Sequence, residues 1–530
     1  MHNKKSVISP SGDPRDSWDD IAVSFEFKKQ NNESNRIDNN QKLIWSLHHT
    51  MRNDPCRRAT FGVTIEDTQV RLWFTCRSFT AVSTGFDFMA NPKELIHLVC
   101  ALAFANDKEL GWDPTIRRVA VGGEIQYDIT FQEQEDSTAV YRTTAIISNF
   151  GADAMTGRGT RILQHILHDV GQDKEQDAKK YFLTVLQAED VSIKGRTDDT
   201  THLVRGEITC KNCSWYDVWP DREPSGHSHM SSVGHAPAHS TRQAIPPTAS
   251  AQIQHKTHFR IVFKEVCQPI FKLKSLRDVF ETLFHAVAGL NYMHTAGWVH
   301  HDISVGNVLR HGNRGLITDL EYAKRKNSDQ SHEVRTGTPD FMACEVELQQ
   351  YLFFNAVPRR MSQDSSLSPL AKPLFRANSL HDLESLWWIL MWVIHYHIDE
   401  RNPTLIPGHE ILYQKHFPGP NRTLCQTRLP SLMTDVANPS LPTTFARAIQ
   451  MADTFRLELR QSYERAENYT CMEVDQQYQS CSAHFTEDLL TVLSDEDVVL
   501  VPLHELKKRK TAPEPVEGNA GTQQPMKRAK

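Results

Sequence analysis

The sequence predicts an α+β protein with more than one domain, and three observations point to this. Strand-like runs alternate with helical stretches through the first half, whereas the chain from Asn378 to about Leu493 is almost entirely helix-like. The length of 530 residues exceeds what one hydrophobic core usually organises. The content of 39% hydrophobic and 23% charged residues is that of an ordinary globular protein.

The first predicted domain is an N-terminal α/β extension with a polar start, residues 1–120. A pair of β-rich runs begins at Ala59, and the break at Glu66–Thr68 between them predicts a hairpin. A helix is predicted from Asn91, with Pro92 at its first position. Its apolar residues share one face: Leu95, Leu98, Val99 and Leu102.

The rest of the chain divides into three predicted parts. Residues 121–270 contain further strands and a Pro-, Ser- and His-rich stretch at about 220–256 that predicts a disordered insert. Residues 271–495 are predicted to be helical, and the apolar run Ser385–Ile394 is a buried helix too short to cross a membrane. Residues 496–530 are predicted to be a basic, disordered tail.

Composition and termini indicate an intracellular protein. The formal charge of −6 argues against a general nucleic-acid-binding surface. The ten Cys lack a disulfide-like spacing and no signal peptide is visible, so free thiols in a reducing compartment are expected. Two basic clusters, Lys507–Lys510 and Lys527–Lys530, have the pattern of a bipartite nuclear localisation signal. A nuclear import receptor is therefore an expected partner, with the nucleus or otherwise the cytoplasm as the location.

Three polar residues stand among short apolar runs in GWVHHDISVGNVLRHGNRGLITDLEYA, residues 297–323. They are Asp302, Asn307 and Asp319. Phosphoryl transfer needs a group that orients the acceptor hydroxyl, and hard oxygen ligands for Mg²⁺. Two short strands separated by the turn at 311–315 would bring Asn307 close to Asp319. The segment therefore predicts a phosphotransferase site.

Four segments in order resemble protein kinases. VHHDISVGNVL resembles the catalytic loop H-R-D-x-x-x-x-N, and ITDLEYA resembles the Mg²⁺-binding D-F-G segment. GTPDFMACE resembles the end of an activation segment, and HDLESLWWIL resembles the buried helix that follows it. With WDDIAVSFEFK and TGRGTR, these segments resemble the fungal-type protein kinase family. The resemblance implies a two-lobed kinase fold, in which 121–270 would be the N-lobe and 271–495 the helical C-lobe.

The resemblance implies an ATP- and Mg²⁺-dependent protein Ser/Thr kinase and assigns roles to residues. Asp302 would accept the proton of the substrate hydroxyl, Asn307 and Asp319 would hold Mg²⁺, and Thr338 would help hold Asp302. Asp382 would bind the catalytic-loop backbone, and Glu345 would pair with an arginine. The residues implied for ATP binding are Gly157, Gly159, Lys211, Glu265, Val266 and Cys267. Lys194 is an alternative to Lys211 as the phosphate-binding lysine.

Three departures from the kinase pattern keep other functions open. His301 replaces an arginine that normally pairs with an activation-segment phosphate, so activity independent of that phosphorylation is predicted. Ser304 replaces a lysine near the γ-phosphate. Glu321 replaces a glycine, and the surrounding DLEYA is similar to choline-kinase-like and aminoglycoside-kinase-like enzymes. A small-molecule kinase is therefore one alternative, and a nucleotide-binding pseudokinase scaffold is another because neither Lys211 nor Lys194 matches the phosphate-binding lysine fully.

Two further patterns indicate metal chemistry when taken alone. Glu26-x-Lys28 after Asp19-Asp20 has the composition of a Mg²⁺-dependent nuclease site, although an amphipathic strand explains it more simply. Cys210-x-x-Cys213 precedes several histidines, as in zinc sites, but the histidine spacing is poor.

Overall fold

A computed structural model describes the chain over eleven ranges: residues 20–76, 79–132, 137–144, 172–200, 255–326, 338–353, 375–403, 406–418, 425–467, 474–493 and 498–505. The chain forms two compact units. The first comprises Met1–Gln268 with Thr318–Ala323, and the second comprises Pro269–Ile317 with Lys324–Lys530. The mixture of helix and strand confirms the predicted α+β class.

The first unit begins with a sheet covered by one helix. Its elements are β1 (Val23–Lys28), α1 (Glu33–Asn53), β2 (Ala59–Glu66), β3 (Gln69–Cys76), β4 (Thr80–Val82) and β5 (Phe86–Asp87). β1 is parallel to β2, and the remaining pairs are antiparallel. Leu43 and Leu47 of α1 pack on Trp73 of β3. The predicted hairpin is confirmed, with Glu66 opposite Gln69 across the turn.

The predicted helix at Asn91 is present as α2 (Pro92–Phe104). No residue of this helix is buried, and Ile96 and Phe104 are 62% and 86% exposed. The apolar face predicted from the periodicity is therefore at the surface of the part of the chain that the structure describes.

The first unit continues with shorter elements. They are β6 (Ile116–Val121), β7 (Glu124–Gln132), β8 (Thr138–Arg142), α3 (Gln172–Ala178), β9 (Val185–Asp190), β10 (Ser192–Ile193), β11 (Arg196–Thr197) and β12 (Phe259–Phe263). Two buried ion pairs, Arg58–Asp198 and Arg260–Asp113, join residues on either side of position 120. The predicted extension and the described part of 121–268 thus fold as one unit, and a domain boundary at 120 stays a prediction.

The second unit is mainly helical and begins beside the junction strand β13 (Gln268–Pro269). Its other elements are α4 (Leu276–Thr295), β14 (Trp298–Val299), β15 (Val308–His311), β16 (Arg314–Ile317), β17 (Lys324–Arg325), α5 (Cys344–Leu348), α6 (Ser379–Tyr396), β18 (His397–Asp399), α7 (His409–His416), α8 (Cys425–Met433), α9 (Ala446–Ala466), α10 (Val474–Val492) and β19 (Leu500–Pro502).

Helix α6 is the centre of this unit, and its residues are buried from Ser379 to His395. The run of apolar residues all around this helix requires such a position, because no polar face exists to meet water. The periodicity of Val279, Leu283, Val287 and Leu290 predicts one apolar face on α4, and these residues are buried. Phe455 of α9 stacks on Phe485 of α10 with 3.7 Å between ring centroids.

The chain remains ordered beyond residue 495, where the sequence predicted the tail to begin. β19 pairs with β18, and Leu500, Val501 and Leu503 are buried. These apolar residues follow an acidic stretch, so their burial depends on a partner strand about 100 residues earlier. Residues 506–530, with the basic clusters, and nearly all of the predicted insert lie outside the described residues. Within the described residues, no helix combines the length and the hydropathy of a membrane span.

Candidate active site

The loop between β14 and β15 is built around Asp302, which is 9% exposed. Its Oδ1 accepts hydrogen bonds from the backbone N and the Oγ1 of Thr338, at 2.8 and 2.9 Å. Its Oδ2 accepts one from Nδ2 of Asn307 at 3.1 Å. Three of the residues implied to be catalytic are therefore in direct contact.

Asn307 is oriented by two hydrogen bonds from the same nitrogen. Nδ2 donates to the backbone carbonyl of Asp302 at 2.8 Å as well as to its carboxylate. The loop is closed by the backbone N–H groups of Asn307 and Val308, which both donate to the carbonyl of Ser304 at 3.1 Å. This orientation leaves Oδ1 of Asn307 as the atom that could bind a cation.

Asp382, near the start of α6, holds the loop from the buried side. Its two carboxylate oxygens accept from the backbone N–H groups of His300 and His301, at 2.8 and 3.0 Å. Burial raises the pKa of Asp382 to about 7, although these two N–H groups act in the opposite direction. The contact that the resemblance implied for Asp382 is present.

His301 adopts a left-handed backbone conformation with φ of 69°. Such a conformation costs a non-glycine residue on the order of 1 kcal/mol and persists where surrounding contacts require it. Here the bond to Asp382 supplies that requirement. His300 is fully buried, and its Nδ1 accepts from the backbone N of Asp302 at 3.2 Å, which requires a ring nitrogen without a proton.

The predicted strand pair after the loop is confirmed. β15 and β16 are antiparallel with Val308 opposite Ile317, so Asn307 directly precedes one strand and Asp319 follows the other by two residues. Asp319 is exposed and has a left-handed backbone with φ of 58°. The stretch Thr318–Ala323 that carries it groups with the first unit.

The donors at these positions fit Mg²⁺ in kind. An amide oxygen and an exposed carboxylate are hard ligands of the type that Mg²⁺ prefers, with water and phosphate oxygens completing its octahedron. Among the described residues, no group of three or more His, Cys, Asp and Glu could hold a metal ion by itself. Mg²⁺ bound to either residue would therefore need water or phosphate oxygens as further ligands.

The segment that carries Thr338 packs against the helices. Phe341 lies with its ring centroid 6.5 Å from that of Trp392 and 6.3 Å from that of Phe417. The fully buried Arg428 donates to the carbonyl of Pro339 at 2.9 Å and lies 3.8 Å above the ring of Trp388. The position of Thr338 beside Asp302 thus depends on contacts with α6 and α8.

Glu345, at the end of the kinase-like segment, is fully buried. Its Oε2 lies 3.1 Å from Nε2 of His381, and its Oε1 accepts from the backbone N of Leu352 at 2.6 Å. An arginine partner for Glu345 stays a prediction. Sequence reasoning missed Glu384, which accepts from the backbone N of Cys344 at 2.8 Å. Its place two residues after Asp382, in a run too apolar for an unpaired carboxylate, was the available signal.

Among the residues implied to bind nucleotide, Glu265, Val266 and Cys267 follow β12. Thr184 donates to the Glu265 carboxylate from both its backbone N and its Oγ1, at 2.8 and 2.7 Å. Val266 is 77% exposed and Cys267 is buried. Gly157, Gly159 and Lys211 lie outside the described residues.

Lys194 is placed in a tight turn. It has φ of 55° and, with Gly195, connects β10 to β11, where Ile193 pairs with Arg196. Its side chain is exposed. A lysine in such a turn is the expected surface residue of a hairpin rather than a strand residue aimed at a phosphate, so Lys211 becomes the better candidate.

Two charged residues of the nuclease-like pattern have structural partners, and the zinc-like motif stays a hypothesis. Lys28 of β1 forms an ion pair with Asp38, and Asp20, which precedes β1, forms one with Arg118. Asp19 and the Cys210–Cys213 motif with its histidines lie outside the described residues.

The order and the contacts of these segments agree with a comparison to known families. The family model described as fungal protein kinase matches residues 1–394. The chain belongs to the fungal protein kinase family. The match covers the catalytic-loop residues, Asp319, Thr338 and most of α6, and it includes residues 1–120. No curated protein matches the chain. Membership of this kinase family indicates a phosphotransferase.

Proposed function

We propose that this chain is a protein kinase that uses ATP and Mg²⁺ to phosphorylate Ser or Thr hydroxyls of proteins. The observation that carries the proposal is the restraint of Asp302. Thr338 and Asn307 hold its carboxylate, and Asp382 holds the preceding backbone. A carboxylate fixed in this way suits a group that orients a hydroxyl and accepts its proton. In this proposal the two units are the two lobes of a kinase fold, and the N-terminal extension belongs to the first.

The residues have distinct tasks in the proposed reaction. Asp302 positions the acceptor hydroxyl and takes up its proton as the oxygen attacks. Asn307 keeps Asp302 in place and, with Asp319, would hold Mg²⁺. Mg²⁺, when bound, neutralises the charge of the phosphates. The backbone of Glu265–Cys267 would bind adenine, and Gly157, Gly159 and Lys211 would bind the phosphates.

A protein acceptor is favoured over a small molecule by the contact between Thr338 and Asp302. This contact joins the activation-segment-like sequence GTPDFMACE to the acceptor position, and choline-kinase-like and aminoglycoside-kinase-like enzymes lack such a segment. The second candidate function is phosphorylation of a small alcohol, which the DLEYA sequence at Asp319–Ala323 favours. A scaffold that binds nucleotide without turnover is the third, and it depends on Lys211.

Replacement of the two candidate lysines tests the proposal. We expect Lys211→Met to lower phosphate transfer from radiolabelled ATP to generic protein acceptors by about 10²–10³-fold, because a fixed charge on the phosphates is lost. The matched variant Lys194→Met removes the same charge from a hairpin turn and should retain activity within about twofold.

The outcome also separates the candidate functions. Transfer to choline or an aminoglycoside, with none to protein, would replace the proposal by the small-molecule one. Nucleotide binding by the wild type without transfer to any acceptor would favour the scaffold. Equal activity of both lysine variants and the wild type would contradict the assignment of Lys211.

A second prediction concerns His301. A neutral imidazole cannot form the bidentate, charged contact that an arginine makes with a phosphate, and the His301 backbone N–H is already bonded to Asp382. We therefore expect phosphatase treatment of the purified protein to change its activity by less than about twofold. A loss of tenfold or more, reversed by rephosphorylation between Lys324 and Thr336, would show that another cation replaces the arginine.

A further inference from the structure

A buried cluster of carboxyl groups lies where the segment Thr338–Phe353 ends. We refer to Glu345, His381 and Glu467 as the carboxyl cluster. Glu345 and Glu467 are 0% and 1% exposed, and His381 is 4% exposed. Two glutamates at such burial require either a cation or a proton to be stable. Nothing in the proposed chemistry of Asp302 uses this cluster.

The cluster holds the backbone at adjacent residues. Oε1 of Glu345 accepts from the N–H of Leu352 at 2.6 Å, and Oε2 of Glu467 accepts from the N–H of Phe353 at 2.9 Å. Phe353 also stacks on Tyr463 in the last turn of α9, with 5.4 Å between ring centroids, and Glu467 directly follows that helix. The end of the segment is therefore attached to α9 and back to its own α5.

His381 does not supply a positive charge. Its Nδ1 accepts from the backbone N of Asn378 at 2.8 Å, so the ring proton is on Nε2, which donates to Glu345 at 3.1 Å. Burial lowers the pKa of His381 to about 4. The imidazole is therefore neutral and donates one hydrogen bond, to Glu345. His381 does not balance the charge of the two carboxyl groups of Glu345 and Glu467.

The second charge is avoided by protonation of Glu467. Burial, followed by the charge of Glu345, raises the pKa of Glu467 to about 9 and outweighs the N–H of Phe353 and the effect of His381. The other titratable groups near the cluster are Glu384, Tyr351, Tyr463 and, beside Tyr351, Arg376. Burial raises the pKa values of both tyrosines, and Glu384 accepts from the hydroxyl of Tyr463 at 2.8 Å. Since Oε2 accepts from Phe353, the proton of the neutral form is on Oε1.

Contacts connect the cluster to the proposed acceptor site. Glu345 directly follows Cys344, whose backbone N–H donates to Glu384. Toward the N-terminus the same segment contains Phe341, which packs on Trp392, and then Thr338. Thr338 in turn donates twice to Asp302. A change at Leu352 and Phe353 therefore reaches Asp302 through one continuous, packed segment within the second unit.

We propose that Glu467 is a positioning residue, whose neutral carboxyl group holds Phe353 beside Glu345 and thereby keeps Thr338 and Asp302 in their active arrangement. This rests on the proposed function. Ionisation of Glu467 places two negative charges together in a buried site, and the repulsion is relieved by release of Leu352 and Phe353. The kinase then loses activity at alkaline pH through a group that never touches substrate.

The test is the pH profile of kcat/KM for protein phosphorylation. For the wild type we expect a fall to about half near pH 9 and by about tenfold per pH unit above it, as for one ionisation. Glu467→Gln keeps an oxygen for Phe353 and removes the charge. Its kcat/KM should stay within about twofold of the wild-type value at pH 7. The alkaline fall, that is, the loss of kcat/KM at high pH, should occur at least one pH unit higher than in the wild type.

Two further variants make the result decisive. Glu345→Gln removes the repelling charge from the other side and should also shift the alkaline fall, so it replaces Glu467→Gln if that variant does not fold. Glu464→Gln makes the same change at an exposed position of α9, paired with Arg460, and should leave the profile unchanged. An alkaline fall that is identical in all variants would overturn the proposal.

A second measurement separates this inference from the proposed function. Amide hydrogen exchange of Leu352 and Phe353, corrected for the intrinsic pH dependence, should accelerate at least tenfold between pH 7 and pH 10 in the wild type and much less in Glu467→Gln. This pattern without phosphate transfer would uphold the cluster and reject the kinase assignment. Transfer with pH-independent protection would reject Glu467 as a positioning residue.

Discussion

Asp302→Asn is expected to lower kcat for protein phosphorylation by about 10³-fold, because the amide cannot accept the proton of the acceptor hydroxyl. The change is nearly isosteric, but the amide has only one acceptor oxygen. If that oxygen stays with Thr338, the NH₂ group faces Nδ2 of Asn307, which is also a donor. We expect this conflict to cost about 1–2 kcal/mol of stability.

The measurement is steady-state transfer from radiolabelled ATP, with nucleotide affinity and thermal unfolding recorded on the same samples. Nucleotide affinity should change by no more than about threefold, since Asp302 is assigned to the acceptor and not to ATP. Asp278→Asn serves as the matched control, because Asp278 is a partly exposed aspartate of the same unit, paired with Arg310. Full activity of Asp302→Asn would refute the assigned role.

The stability of the second unit is expected to pass through a maximum near pH 6.5–7 and to fall steeply below it. Buried histidines are responsible, among them His381, His395, His397 and His416. Burial lowers their pKa values to about 4 for His381, His397 and His416 and to about 3 for His395. Three of them donate from Nδ1 to the carbonyl four residues earlier in the chain. A second proton would place a positive charge in a buried site, which burial disfavours.

The sign follows from proton binding in the two states. Below pH 6.5 each of these histidines binds a proton when unfolded but not when folded, so stability is lost as pH falls, by about 1.4 kcal/mol per pH unit for each. Asp382 and Glu467 have raised pKa values and oppose this, because the folded state holds their protons. The buried histidines outnumber these two carboxyl groups, so stability decreases as pH falls from 6.5 to 4.5. Above pH 7, Glu467 makes stability decrease by about 1.4 kcal/mol per unit until pH 9.

Urea unfolding from pH 4.5 to 9, followed by tryptophan fluorescence, measures these slopes. His395→Asn retains a donor near the Nδ1 position and removes one titrating group, so it should reduce the acid slope by about 1.4 kcal/mol per pH unit. His97→Asn, on the exposed helix α2, should not change the slope. A stability that rises steadily from pH 7 to pH 4.5 would contradict the buried, neutral histidines.

Local signals in the sequence predicted several elements correctly. The hairpin at Glu66, the helix that starts at Pro92, the helix α4 with its apolar face and the strand pair β15–β16 all follow from turn residues, caps and periodicity. These signals act over fewer than about 20 residues, which is why they can be interpreted without a partner segment. The order of the four kinase-like segments predicted the family in the same way.

Two features could not be predicted because they depend on distant partners. The apolar face of α2 is regular in the sequence, yet no residue of it is buried in the structure. Conversely, Leu500 and Val501 follow acidic residues and are buried because β18 pairs with them. Lys194 has a local cause instead, since VSIK has the composition of a strand lysine but the following Gly195 completes a turn.

The sequence by itself determined the chemistry on offer: Asp302, Asn307, Asp319 and Thr338 stand in the order of a kinase, with His301 and Glu321 as its departures. Only the tertiary structure decided what holds these groups. Asp302 accepts from Thr338, 36 positions later, and Asp382 accepts from the backbone N–H of His300, 82 positions earlier. Glu467 accepts from a backbone N–H 114 positions earlier. The physical reason is that buried carboxylates must find donors wherever the packed chain provides them, and sequence spacing carries no record of that choice.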